Sequence, residues 1–189
     1  MPNVLYAATN RGRFTITMTP SFDLTVDRTG DGGGLVTSTP EGITCGDDCS
    51  ESYPSGTPVR LEAVPADDSV FTGWSGCDAI EEDSSCTVTM DAARSVTAGF
   101  DLKRFVLTAG TSGIGSGTVT SSPDGIDCGS DCYEPYAIGT TVTLTATADL
   151  GAVTGWTGCD SDSGPGTSST CTVTMTSDRE VTATFVAVP

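Results

Sequence analysis

Residues Cys86–Phe100, CTVTMDAARSVTAGF, recur 85 positions later as Cys171–Phe185, CTVTMTSDREVTATF. In the first copy Val88, Met90, Val96, Ala98 and Phe100 fall on one face, with Thr87, Thr89, Ser95 and Thr97 on the other. A period of two marks strands with one wet and one buried face, and two such runs joined by a short turn predict a β-hairpin. The recurrence predicts two tandem repeat units, 22–101 and 105–189, after an N-terminal arm, 1–21.

The same order of segments surrounds both copies. Phe22–Val26 corresponds to Phe105–Ala109, and a glycine-rich turn follows at Gly30–Gly34 or Gly113–Gly117. Next come Leu35–Pro40 or Thr118–Pro123, a C-x3-C pair, and a strand at Pro58–Val64 or Thr141–Thr147. The T-G-W-x-G-C segments at Thr72–Cys77 and Thr154–Cys159 then lead through a loop of unequal length to the opening stretch. No apolar period of 3.6 residues is long enough for a substantial helix. Six strands are therefore expected per unit. Only Asp101–Arg104 joins the units, too short a link to let them tumble freely.

Eight cysteines divide four per unit, and histidine is absent. A zinc reading would join Cys45, Cys49, Cys77 and Cys86. Against it, eight residues separate Cys77 from Cys86 but eleven separate Cys159 from Cys171, and a stapled surface loop tolerates such variation better than a metal knuckle. Local disulfides Cys45–Cys49, Cys77–Cys86, Cys128–Cys132 and Cys159–Cys171 are expected, although four cysteines allow three connectivities. Cysteine-dense small units point to an oxidising, extracellular compartment. Asp47, Asp48 and Asp131 beside the C-x3-C pairs disfavour a reactive thiolate.

The net charge of −17 argues against nucleic acid and anionic membranes as partners. No apolar run approaches the roughly 18 residues of a membrane helix, so no membrane insertion is expected, and 1–21 lack the apolar core of a signal peptide. That arm carries Arg11 and Arg13 and no acid, while 22–104 hold 16 acids against 5 bases and 105–189 hold 9 against 1. Val4, Leu5 and Tyr6, then Arg13, Phe14, Ile16 and Met18, read as strands about a turn at Thr9–Gly12. Basic, strand-forming and outside the repeat, the arm is a candidate either for self-association by edge pairing with a neighbouring copy or for adding strands to the first unit of its own chain.

The ordered motifs G-x-G-x-V-T-S-x-P-x-G-I-x-C-G-x-D-C, G-T-x-V-x-L-x-A, T-G-W-x-G-C, C-T-V-T-M and V-T-A-x-F resemble the divergent B-repeats of internalin-type bacterial surface proteins. The resemblance covers nearly all of 22–185. It implies a secreted or surface-anchored bacterial protein, a small β-rich unit of β-grasp or sandwich type, and no catalytic centre.

Trp74 and Trp156 sit in identical settings and read either as core plugs over a disulfide or as stacking platforms for a glycan. Calcium would need several converging oxygens, and the acids Asp27, Asp31, Asp47, Asp48, Asp78, Glu81, Glu82 and Asp83 are candidates. Asp27, Asp31 and Asp47 align with Gly110, Ile114 and Ser130, so neither metal nor other cofactor is expected. Without histidine there is no histidine-based triad, and no phosphate loop precedes a helix, so no catalytic residue is expected. The expected function is that of a non-enzymatic structural module, assembled head-to-tail or with another surface protein through the arm. The alternative is a monomeric spacer, adhesive or carbohydrate-binding module.

Overall fold

The computed structural model describes residues 4–9, 12–17, 19–82 and 84–187. Arg11, Met18 and Asp83, named above, lie outside them. The chain divides into two compact units, Met1–Leu102 and Lys103–Pro189. The first contains the arm strands β1 (Val4–Thr9) and β2 (Gly12–Thr17). These place Val4, Leu5, Tyr6, Arg13, Phe14 and Ile16 in an antiparallel ribbon whose register runs from Val4 opposite Thr17 to Thr9 opposite Gly12. Among the described residues, neither strand pairs with any other.

Nine further strands complete this unit: β3 (Ser21–Thr29), β4 (Gly34–Thr39), β5 (Thr44–Cys45), β6 (Ser50–Pro54), β7 (Pro58–Pro65), β8 (Ser69–Ser75), β9 (Ala79–Ile80), β10 (Cys86–Thr89) and β11 (Arg94–Leu102). They form a five-stranded sheet ordered β5-β4-β7-β10-β9 and a four-stranded sheet ordered β6-β3-β11-β8. The second unit repeats the plan with β12 (Arg104–Gly113), β13 (Ser116–Ser122), β14 (Asp127–Cys128), β15 (Tyr133–Ala137), β16 (Thr141–Leu150), β17 (Ala152–Thr157), β18 (Ser161–Asp162), β19 (Ser168–Thr174) and β20 (Arg179–Val186). Its sheets run β14-β13-β16-β19-β18 and β15-β12-β20-β17. The fold is all β, with two small sandwiches in tandem.

In each sandwich the inward residues of both sheets share one core. Leu24, Val26, Val96, Ala98 and Phe100 from one sheet meet Val36, Val59, Leu61, Val88 and the following Met90 from the other. The equivalent set in the second unit includes Leu107, Val119, Val142, Leu144, Val173, Met175, Val181 and Phe185. Phe100 and Phe185 are each 1% exposed. Gly34 and Gly117 make room for them, since a Cβ at either position would run into the phenylalanine ring.

The opening stretch is not a hairpin. β10 pairs with β7 and β9, whereas β11 lies in the opposite sheet between β3 and β8. Residues 90–93 carry the chain across the core from one sheet to the other. The alternation was legible because both strands bury one face, but a period of two fixes the buried face and not the hydrogen-bonding partner. β11 runs parallel to β3, Arg94 opposite Leu24 through Gly99 opposite Thr29, and β20 runs parallel to β12. The strand count is also nine rather than six. Of the three extra strands, β5 and β9 have two residues each and β6 ends in proline, so none carries a readable alternation.

Candidate functional site

The most distinctive chemistry gathers where β8 and β10 meet the stapled loop. Trp74 on β8 is followed by Gly76, whose φ of +88° turns the chain where a Cβ would strike the Ser95 carbonyl. Cys77 is bonded to Cys86, with Cα atoms 5.6 Å apart. Asp78 then becomes a clip. Its Oδ2 accepts the Thr89 N–H at 2.7 Å and its Oδ1 accepts Arg94 Nη2 at 2.6 Å, while the same guanidinium donates to the Gly76 carbonyl at 3.2 Å. The second unit repeats it: Asp160 accepts Thr174 N at 2.7 Å and Arg179 Nη2 at 2.9 Å, and Arg179 donates to Gly158 O at 2.7 Å.

The Arg94 hydrogen bond, then that of Thr89, holds the Asp78 carboxyl below the ordinary carboxylate range. For Asp160 the Thr174 N–H contributes most and Arg179 next. The clip binds the loop, the end of β10 and the start of β11, and so fixes the crossing between sheets. Sequence reasoning missed it, because Asp78 was weighed only as a calcium ligand and neither arginine was given a role. The available signal was that aspartate after W-x-G-C and arginine at the start of the last strand are kept in both units.

Cys45 is bonded to Cys49, Cys128 to Cys132 and Cys159 to Cys171, and no cysteine is free. The C-x3-C bridges close tight loops in which Thr44 and Asp48 exchange hydrogen bonds of 3.0 and 3.1 Å, and the Cys49 carbonyl accepts Val26 N at 2.8 Å. Beside each lies a tyrosine. Ile43 N donates to Ser38 Oγ at 2.9 Å, Ser38 donates to Tyr53 Oη at 2.7 Å, and Tyr53 donates to the Pro40 carbonyl at 3.3 Å. Ile126, Ser121, Tyr136 and Pro123 repeat the relay at 2.9, 2.8 and 3.2 Å. Burial raises the pKa of both tyrosines.

The tryptophans are half-buried against their cores, each with its indole N–H engaged. Trp74 Nε1 donates to the Ser84 carbonyl at 2.8 Å and Trp156 Nε1 to Ser169 Oγ at 3.1 Å. Of the calcium candidates, Asp27 accepts Ser95 Oγ at 3.3 Å, Asp31 accepts Leu102 N at 2.8 Å and Asp78 is held in the clip. Among the described residues no three acidic or cysteine side chains converge on a metal-sized space.

The units differ beside this loop. β19 extends over seven residues, so Ser168, Ser169 and Thr170 pair with Thr147, Ala146 and Thr145 of β16. The chain before it continues the seal, with Ala148 N donating to Thr167 O at 2.9 Å and Val153 exchanging bonds of 2.7 and 3.0 Å with Gly166. β10 has four residues and starts at Cys86 opposite Leu61. Before it, Ser84 adopts φ +64° and leads the chain away. Among the described residues Glu62, Ala63 and Val64 thus have no strand on that side, and Pro65 stands where Ala148 donates its N–H. A recess of about 260 Å³ results, lined by Arg60, Glu62, Ala63, Val64, Phe71, Ser84 and Ser85.

The family described as "Divergent InlB B-repeat domain" matches residues 24–104 and again 107–189. The chain belongs to this family. Each B-repeat is thus one sandwich with its two bridges, its clip and its tyrosine relay. None of the curated proteins compared matches the two B-repeats. Among solved structures, the Bacillus anthracis TIE protein aligns with 98% of the chain at 8% identity and a TM-score of 0.48, and the chain spans 42% of its length. The minor pilin GBS52 of Streptococcus agalactiae aligns over 89% of this chain and 98% of its own, at 8% identity and a TM-score of 0.29. For the shaft pilin spaA from Lactobacillus rhamnosus GG the values are 92%, 100%, 10% and 0.24.

Proposed function

We propose that this tandem pair of B-repeats is a non-enzymatic structural module of a bacterial surface or secreted protein, and that copies assemble through the N-terminal β arm. The observation that carries the reading is the repetition of one disulfide-stapled sandwich, preceded by a ribbon whose two strands pair only with each other among the described residues. Disulfides in every unit suit an oxidising exterior. A two-stranded ribbon is marginal alone and has an unpaired edge on each side, and both deficits are relieved by joining a larger sheet. The basic arm and acidic body of different copies attract one another. Head-to-tail contacts of this kind do not close on themselves and give filaments.

Deleting 1–21 tests the reading. Gel filtration with light scattering, and electron microscopy, should show polymers for the full chain and a monomer with both units folded for the deletion. A full chain that stays monomeric at high concentration leaves the spacer role and removes the filament.

A further inference from the structure

We propose that the recess between β7 and β8 of the first unit is the acceptor site for an extended strand, and that its occupant is β2 of a second copy of this chain. The inference rests on the arm reading above and gives that arm its docking place.

The second unit supplies the template. There the chain passes between β16 and β17, with Gly166 bridged to Val153, a bend at Thr167 whose carbonyl accepts Ala148 N, and Ser168–Thr170 paired with β16. Donors in an antiparallel ladder alternate sides, so the N–H and C=O of Ala146 face this segment as Ala148 does. The equivalent groups in the first unit belong to Ala63 and Phe71. Neither has a backbone partner on that side among the described residues. Ala146 is fully buried beneath its covering segment, whereas Ala63 is half-buried and Val64 is 59% exposed. The first unit has the same two rails with the middle strand missing, because its stapled loop is three residues shorter.

The rim selects the occupant. Arg60 is 3.3 Å from Glu62, and the adjoining recess is lined by Glu81 and Glu82 beside Arg60, which leaves surplus negative charge. The arm has Arg11 and Arg13 and no acid. β2 has six residues, enough to fill the place taken by Gly166–Thr170, and its sequence alternates Phe14 and Ile16 with polar residues. β1 occupies one edge of β2 and leaves the other for the acceptor.

The test uses the full chain. Amide hydrogen exchange at Ala63 and Phe71 should slow by about tenfold or more as concentration drives assembly, the effect of forming strand hydrogen bonds. Replacing residues 78–85 by 160–170 fills the recess from within and should abolish assembly. Ala63→Pro, which removes one groove-facing donor without changing the loop, should weaken it. Free exchange at both amides in the assembled state overturns the proposal, as does a loop replacement that assembles like the parent. Protection that does not depend on concentration assigns the site to the chain's own arm and overturns the second copy. Should deletion of 1–21 abolish assembly while the loop replacement leaves it intact, the groove falls and the arm reading stands. Should neither change matter, both fall.

Discussion

The two units share a sandwich, a clip and a tyrosine relay, yet differ at one place on the rim. In the second, Val153 is fully buried and bonded to Gly166 of the long loop. In the first, half-buried Phe71 takes that position, its ring 5.3 Å from Trp74 and 5.6 Å from Phe100, and no backbone bond joins it to the loop among the described residues. Three residues of loop length therefore decide whether a sheet edge is sealed from within or left without a pairing strand among the described residues. The fully buried residues of the two cores otherwise correspond across this difference, although Ala63 and Phe71 of the groove pack against the first of them. Duplicated units can in this way divide labour without changing fold.

The comparison breaks first at the cores. Phe100→Ala and Phe185→Ala should each cost about 3–5 kcal/mol by opening a cavity. Only the first should also loosen the Phe71–Trp74 stack, which emission from Trp74 in a Trp156→Phe background reports. Next come the loop staples. Replacing Cys77 and Cys86, or Cys159 and Cys171, by serine should cost roughly 2–3 kcal/mol in the loop-closure model. After that loss, hydrogen exchange should find Gly166 and Ser169 still protected by their bonds to β17 and β16, while the Glu81 and Ser84 amides, bonded only within their own loop, exchange faster. Tyr53→Phe and Tyr136→Phe should cost about 1–2 kcal/mol each, and equally, because the relays match. Unequal losses in denaturant melts would show that the surroundings of the relays differ.

The smallest effect belongs to the clips. Asp78 and Asp160 titrate below the ordinary carboxylate value when folded. Their contribution is present above the unfolded value of about 4 and is lost as pH falls through the lower folded values. Asp78→Asn and Asp160→Asn should therefore flatten the acid limb of a stability-versus-pH curve, lowering stability slightly at neutral pH and leaving it unchanged at the acid end. An acid limb as steep as the parent's would show that the clips are not its source.

Much of this architecture was legible. The period of two at Val88–Met90 and Val96–Phe100 identified buried faces correctly, and motif order gave two units with two local bridges apiece. What alternation cannot carry is partnership. β10 and β11 look like a hairpin because a strand that crosses to the other sheet buries the same residues as one that folds back. The Asp78–Arg94 clip was hidden because its members are 16 positions apart, with a loop of unequal length in the two units between them. The groove was hidden for a different reason. Loops of eight and eleven residues read as variation in a surface feature, and only the paired strands show that the longer loop supplies a strand.

The parallel neighbours β3 and β11, with β12 and β20 in the second unit, have a mechanical consequence. They are the first and last strands of their sandwiches, and they lie side by side pointing the same way. Tension on the two ends of a unit then acts along the strands in opposite senses, so the bonds between them are sheared together instead of being unzipped one by one. Lys103 alone separates β11 from β12, so a pull on one unit passes straight to the next. Each bridged loop, for its part, withholds the residues between its cysteines from the length that force can draw out.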